Sequence, residues 1–195
     1  MHRTFRDVPL AGLLLIFLAG CGGDHSFLAT TPAPDPDQAA KNLAVANRAF
    51  RSSPNSIELI LKQALAYQNV GDLDNAIADY DLVLKSYPYK SEALANRGHT
   101  YYRKGQYQQA IQDYTKAIDG SPKDSTLFFW RAQAQLATGD APRAKEDLDQ
   151  TLALNPNNTE ALCMRSRVFA RLGDLQRAQA DLDRASAAKP HGPSD

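Results

Sequence analysis

The sequence predicts an all-α solenoid of stacked helical hairpins, and three observations carry that prediction. Glycine recurs every 34 residues, at Gly71, Gly105, Gly139 and Gly173. Alanine follows in step five residues later, at Ala76, Ala110, Ala144 and Ala178, and proline closes each unit at Pro88, Pro122, Pro156 and Pro190. Around each glycine the apolar residues fall at helical spacing, as with Leu94, Gly98 and Tyr101 before Gly105 and Tyr107, Ala110, Ile111, Tyr114, Ala117 and Ile118 after it. A hairpin of this kind cannot bury its apolar faces alone, so a fixed period of this length marks units that stack on their copies.

Each element has a local reason. The four glycines stand where a first helix ends in the left-handed conformation that glycine adopts without strain. Asp72, Asp140 and Asp174 directly after them are natural N-caps for the second helices. Pro142 falls in a first turn, where a missing N–H is harmless. Small residues at Ala64, Gly98, Ala132 and Ser166 let backbones approach where helices cross, and Tyr80, Tyr114, Leu148 and Leu182 fill the flanks. The repeats are expected at residues 57–90, 91–124, 125–158 and 159–192, followed by a tail at 193–195. Residues 38–56 read as an N-terminal capping helix, because their distance from Pro54 matches the second helix of a unit whose first helix is missing. The last helix carries Gln179 and Ser186 where Ile111 and Ile118 stand in the second unit, a thinner apolar face suited to a terminal element. Nine helices and no strands are predicted.

These positions resemble the tetratricopeptide repeat, whose motif sets Trp/Leu, Gly/Ala, Tyr, Ala, Tyr/Phe, Ala and Pro at fixed offsets. Leu94, Gly98, Tyr101, Ala110, Tyr114, Ala117 and Pro122 match it. Gln135 replaces the first tyrosine in the third unit, and Val83 and Thr151 replace the last alanine in the first and third. The resemblance implies that first helices line a concave groove. It places Leu61, Leu65, His99, Tyr102, Arg103, Phe129, Trp130, Gln133, Met164, Arg167 and Arg171 on or near that face. Of these, His99, Tyr102, Arg103, Phe129, Trp130, Met164, Arg167 and Arg171 are the candidate partner-binding residues, since Trp and Arg are over-represented among binding hot spots. The members of the family that clamp a free C-terminal carboxylate use Lys and Asn in the groove. Here Leu61 and Leu65 stand at the corresponding first-unit positions and only Asn96 survives, so that clamp is not expected.

A second recurring feature is a ladder of charges. Asp79, Asp113, Asp147 and Asp181 share one repeat position, and Arg97, Arg131 and Arg165 share another, which Gln63 fills in the first unit. Pairing across units (Asp79 with Arg97, and so on) and pairing within a unit (Arg97 with Asp113, and so on) both fit the spacing. Half-buried charges recurring in every unit are expected to be structural ion pairs.

The N-terminus has a separate logic. A basic start with Arg3 and Arg6 precedes an uncharged apolar run over residues 9–18, too short to span a bilayer and suited to a secretory signal. It ends in Leu18-Ala19-Gly20-Cys21, which resembles the lipobox of bacterial lipoproteins. The resemblance implies a signal peptide at residues 1–20, lipidation at Cys21 and firm anchoring through several acyl chains. Gly22, where an Asp would favour inner-membrane retention, implies an outer-membrane site facing the periplasm. Residues 21–37 read as a flexible tether reaching at most ~55 Å.

Lys plus Arg and Asp plus Glu balance at 22 each, so nothing in the composition indicates a nucleic-acid partner and none is expected. His99 is alone within a repeat, with no His or Cys at metal-ligand spacing, and nothing places a nucleophile beside a base. Cys163 reads as a small core residue. No enzyme activity, cofactor, metal or small-molecule substrate is expected. The expected function is a protein–protein interaction adaptor, lipid-anchored in the bacterial envelope. Its partners would be other envelope proteins, in pilus assembly, secretion or cell-wall hydrolase control. The alternative is a permanent structural subunit of a larger envelope machine.

Overall fold

The computed structural model describes residues 35–188. The signal peptide, Cys21, nearly all of the expected tether and the tail at 193–195 lie outside the described residues. Among the described residues there are nine helices and no strand. They are α1 (Pro36–Ser52), α2 (Ile57–Val70), α3 (Leu73–Ser86), α4 (Ser91–Arg103), α5 (Tyr107–Gly120), α6 (Ser125–Ala137), α7 (Ala141–Leu154), α8 (Thr159–Arg171) and α9 (Leu175–Ala188). The pairs α2–α3, α4–α5, α6–α7 and α8–α9 are the hairpins, and α1 packs on α2 as an unpaired second helix. It begins at Pro36, two residues before the expected start, because Asp35 caps it and proline is tolerated at its first position.

The turn chemistry follows the repeat. Gly71, Gly105, Gly139 and Gly173 have φ of 85°, 76°, 84° and 79°. Asp72, Asp140 and Asp174 accept the backbone N–H of Asn75, Arg143 and Arg177. The second helix of the second unit has Gln106 at that position and lacks a side-chain cap.

The periodic small residues sit at the crossings. Ala64, Ala76, Ala110, Ala132 and Ala144 are fully buried, as are Tyr80 and Leu148. A Cβ added at Gly98 would meet the Tyr114 ring at 3.0 Å, tighter than side chains tolerate without moving. The core forms one apolar cluster over the first two units, reaching Leu127, and another over the last two; a small one of Ala110, Tyr114 and Ala134 lies between. Trp130 packs against all three. Cys163 is buried in the C-terminal cluster.

Departures from the motif are absorbed unequally. Val83 and Thr151 are buried, and the Thr151 hydroxyl donates to the Asp147 carbonyl at 2.9 Å. Gln135 is also buried, but its Oε1 has no partner. A tyrosine at that position carries an arginine over its ring in the second unit, Arg97 over Tyr101 at 5.7 Å. With glutamine there, Arg131 lies over Phe128 at 5.8 Å instead.

Candidate groove and ion-pair ladder

The ladder pairs within each unit. Arg97 donates Nε and Nη2 to the two oxygens of Asp113 at 2.7 Å each. Arg131 holds Asp147 the same way at 2.8 and 2.7 Å, and Arg165 holds Asp181 at 2.8 and 2.7 Å. The three carboxylates are buried, so each bidentate fork neutralises a charge that water cannot reach. The partner carboxylates raise the guanidinium pKa of Arg97, Arg131 and Arg165, through hydrogen bonds to the charged form.

Each arginine has a third bond that the sequence reading missed. Arg97 Nη1 reaches Asp81 at 2.5 Å, Arg131 Nη1 reaches Thr115 at 3.1 Å, and Arg165 Nη1 reaches Asp149 at 2.6 Å. These acceptors stand two residues after the ladder aspartate of the preceding unit. One side chain therefore closes its own hairpin and ties it to the one before. The signal was present as polar residues at Asp81, Thr115 and Asp149, 34 apart.

The candidate groove residues divide into two groups. Phe129 and Met164 are buried in the C-terminal cluster, so the expectation that they line a binding surface is corrected. Three consecutive aromatics cannot all face inward on a helix, and it is Phe129 that does; Phe128, at the position held by buried Leu94 and Leu162, stays half-exposed. Leu61 and Gln133 are buried as well.

Trp130 is half-buried, with its ring 5.5 Å from His99 and 6.0 Å from Tyr114. It bridges α4, α5 and α6 as much as it faces outward. His99 is half-buried beside it, and burial, helped by nearby Arg103, holds its pKa below the ordinary imidazole value. Tyr102 packs edge-on to Tyr107 at 5.2 Å. Arg103 donates Nη1 to the Gln68 carbonyl at 2.7 Å, capping the end of α2. Arg167 is half-buried, and Arg171 and Leu65 are exposed.

Three family models match the chain, each described as a tetratricopeptide repeat, over residues 58–88, 91–119 and 131–193. Together they span more than half of the sequence. The chain is a tetratricopeptide-repeat protein. Its fold is similar to that of solved MamA structures. The crystal structure of MamA has 18% identity and TM-score 0.70, covering 75% of this chain and 85% of that one. MamA 41-end from Desulfovibrio magneticus RS-1 has 18% identity and TM-score 0.72, covering 94% and 97%. MamA MSR-1 has 14% identity and TM-score 0.67, covering 93% and 97%. No curated protein matches the sequence. Tetratricopeptide repeats form protein-interaction scaffolds, and the surface that departs from the repeat is where such a scaffold carries its specificity. Among the described residues, no group of three or more His, Cys, Asp or Glu could hold a metal ion, and no helix is long and apolar enough to cross a membrane.

Proposed function

We propose that this tetratricopeptide-repeat chain is a non-enzymatic adaptor, anchored in the bacterial envelope by lipid on Cys21, that binds a segment of a partner protein along its first helices. The observation that carries the reading is the strip of groove residues the fold does not bury. Leu65 on α2 is 37% exposed, Tyr102 and the His99–Trp130 pair on α4 and α6 are half-exposed, and Arg171 at the end of α8 is open to solvent. The strip is mainly apolar and aromatic over the first three units, with Arg103 exposed at the end of α4, and basic over the fourth. A partner helix or extended segment with apolar anchors and an acidic end matches it. The outer-membrane location facing the periplasm is part of the same proposal and rests on the Leu18–Cys21 motif with Gly22.

The test is capture of partners from envelope extracts with the full chain. Leu65→Asp combined with Arg171→Glu should abolish capture and leave the melting temperature unchanged, because both side chains are exposed. Undiminished capture would remove the groove from the proposal. Cys21→Ser should move the protein out of the membrane fraction; unchanged fractionation would remove the anchor.

The second reading, a permanent subunit of an envelope machine, draws on a different surface. Leu82, Tyr87 and Tyr89 are 47%, 50% and 81% exposed at the end of the first unit, where the second has Lys116, Ser121 and Lys123. A permanent subunit would bury such a patch and be poorly soluble alone, whereas an adaptor stripped of its anchor is a soluble monomer.

A further inference from the structure

The ladder has a vacant rung. In the second, third and fourth units a guanidinium sits between the buried aspartate of its own hairpin and a polar residue of the preceding helix. In the first unit Gln63 holds the arginine position, and it donates to Asn47 of α1 at 2.6 Å. Asn47 lies 34 residues before Asp81, so the inter-unit bond is kept in neutral form. The bond inside the unit is not kept. Asp79, the counterpart of Asp113, Asp147 and Asp181, has a buried Oδ2 with no hydrogen-bond partner.

The elements around Asp79 bring it no counter-charge. On α2, Glu58 and Lys62 close on each other at 2.6 Å. On α4, Arg97 is committed to Asp113 and Asp81, and Glu92 faces Lys90 at 3.4 Å. On α3 itself, Asp74 is bound by Lys104, and Lys85 is exposed in the last turn. On α1, Lys41, Arg48 and Arg51 are exposed to solvent. An unpaired carboxylate held this way penalises the closed hairpin, and the neutral acid does not.

We propose that the Gln63–Asn47–Asp79 rung is a proton-sensitive seam: the α1–α3 end of the solenoid closes when the Asp79 carboxyl is protonated and opens locally when it ionises. Burial pushes this carboxyl up from 3.8 to about 6, with no charged neighbour as a cause. The sign follows from linkage. A carboxyl raised in the folded state favours closure fully below its unfolded value and ceases to do so as pH rises through about 6. The seam is therefore tighter at mildly acidic pH than at neutral pH.

Hydrogen exchange of the full chain in detergent at pH 5.0 and 7.5, corrected for the intrinsic rates, tests this by region. His99 on α4 titrates in the opposite sense, so the quantity read is the difference between the wild type and Asp79→Asn, which share that histidine. Between the two pH values, α2 and α3 of the wild type should gain up to about tenfold more protection than those of Asp79→Asn. Gln63→Arg, which supplies the missing guanidinium, should reduce the gain in the same way. Identical pH responses of the wild type and Asp79→Asn would overturn the proposal. So would a gain of equal size in α6 and α7, where the rung is filled. If Gln63→Arg fails to fold, the Asp79→Asn comparison still decides.

Discussion

The first hairpin and the second share a backbone plan and differ in how their seams are held. In α4–α5, Arg97 grips Asp113 through two bonds and Asp81 of the previous hairpin through a third. In α2–α3, Gln63 reaches only Asn47 of the cap, and Asp79 is left with an unbonded oxygen. The repeat thus fixes where a buried carboxylate stands, but each unit must supply its own cation. The terminal unit does not, and that makes its stability a matter of pH where its neighbours' is a matter of geometry. The join between these two hairpins compensates in part. Arg103 caps α2 through the Gln68 carbonyl, and Lys104 pairs with Asp74, so the second unit holds the first from outside.

Removing the cation from a filled rung should break this contrast most severely. Arg97→Ala strands Asp113 in the interior and should destabilise the chain by about 3 kcal/mol in denaturant unfolding, against under ~1 kcal/mol for Gln63→Ala. An equal loss from the two variants would mean the rungs are not different. Trp130→Ala comes next, with a loss of about 2–3 kcal/mol, because its half-buried ring borders all three apolar clusters. Substitution of this residue is therefore a poor probe of partner binding, contrary to what its place on the groove face implied. Gln63→Arg should act the other way, raising stability at pH 7 by about 1 kcal/mol and making the first hairpin resemble the second. Unchanged stability would show that the guanidinium cannot enter the rung. The smallest effect is expected from His99. Its lowered pKa gives stability that is full above 6.5 and is lost as pH falls through the folded value, so His99→Gln should flatten the acid side of the stability profile.

How far the site could be read in advance depended on whether the repeat constrained it. The left-handed glycines, the aspartate caps and the capping helix follow from local rules, and the structure reproduces them, with Asp35 and Pro36 extending α1 by two residues. Repeat position alone puts Phe129 and Met164 in the groove, and both are buried. Groove exposure depends on how far neighbouring first helices approach, and side-chain bulk on two helices at once sets that distance. Cross-unit bonds to Asp81 and Asp149 are not legible in a single hairpin, because they form only when Arg97 and Arg165 of the next unit stack on them; within its own helix Asp149 meets Lys145.

By itself, then, the sequence determined the all-α class, the 34-residue unit and the ends of most helices, since periodicity and capping are properties of contiguous residues. It also placed an aspartate in every unit and an arginine in only three. Only the tertiary structure decided that Arg97 belongs to Asp113 and not to Asp79. The two separations are nearly equal along the chain, and the choice is made in space, where α4 presents its guanidinium to α5 inside the hairpin and leaves only Nη1 for the hairpin before.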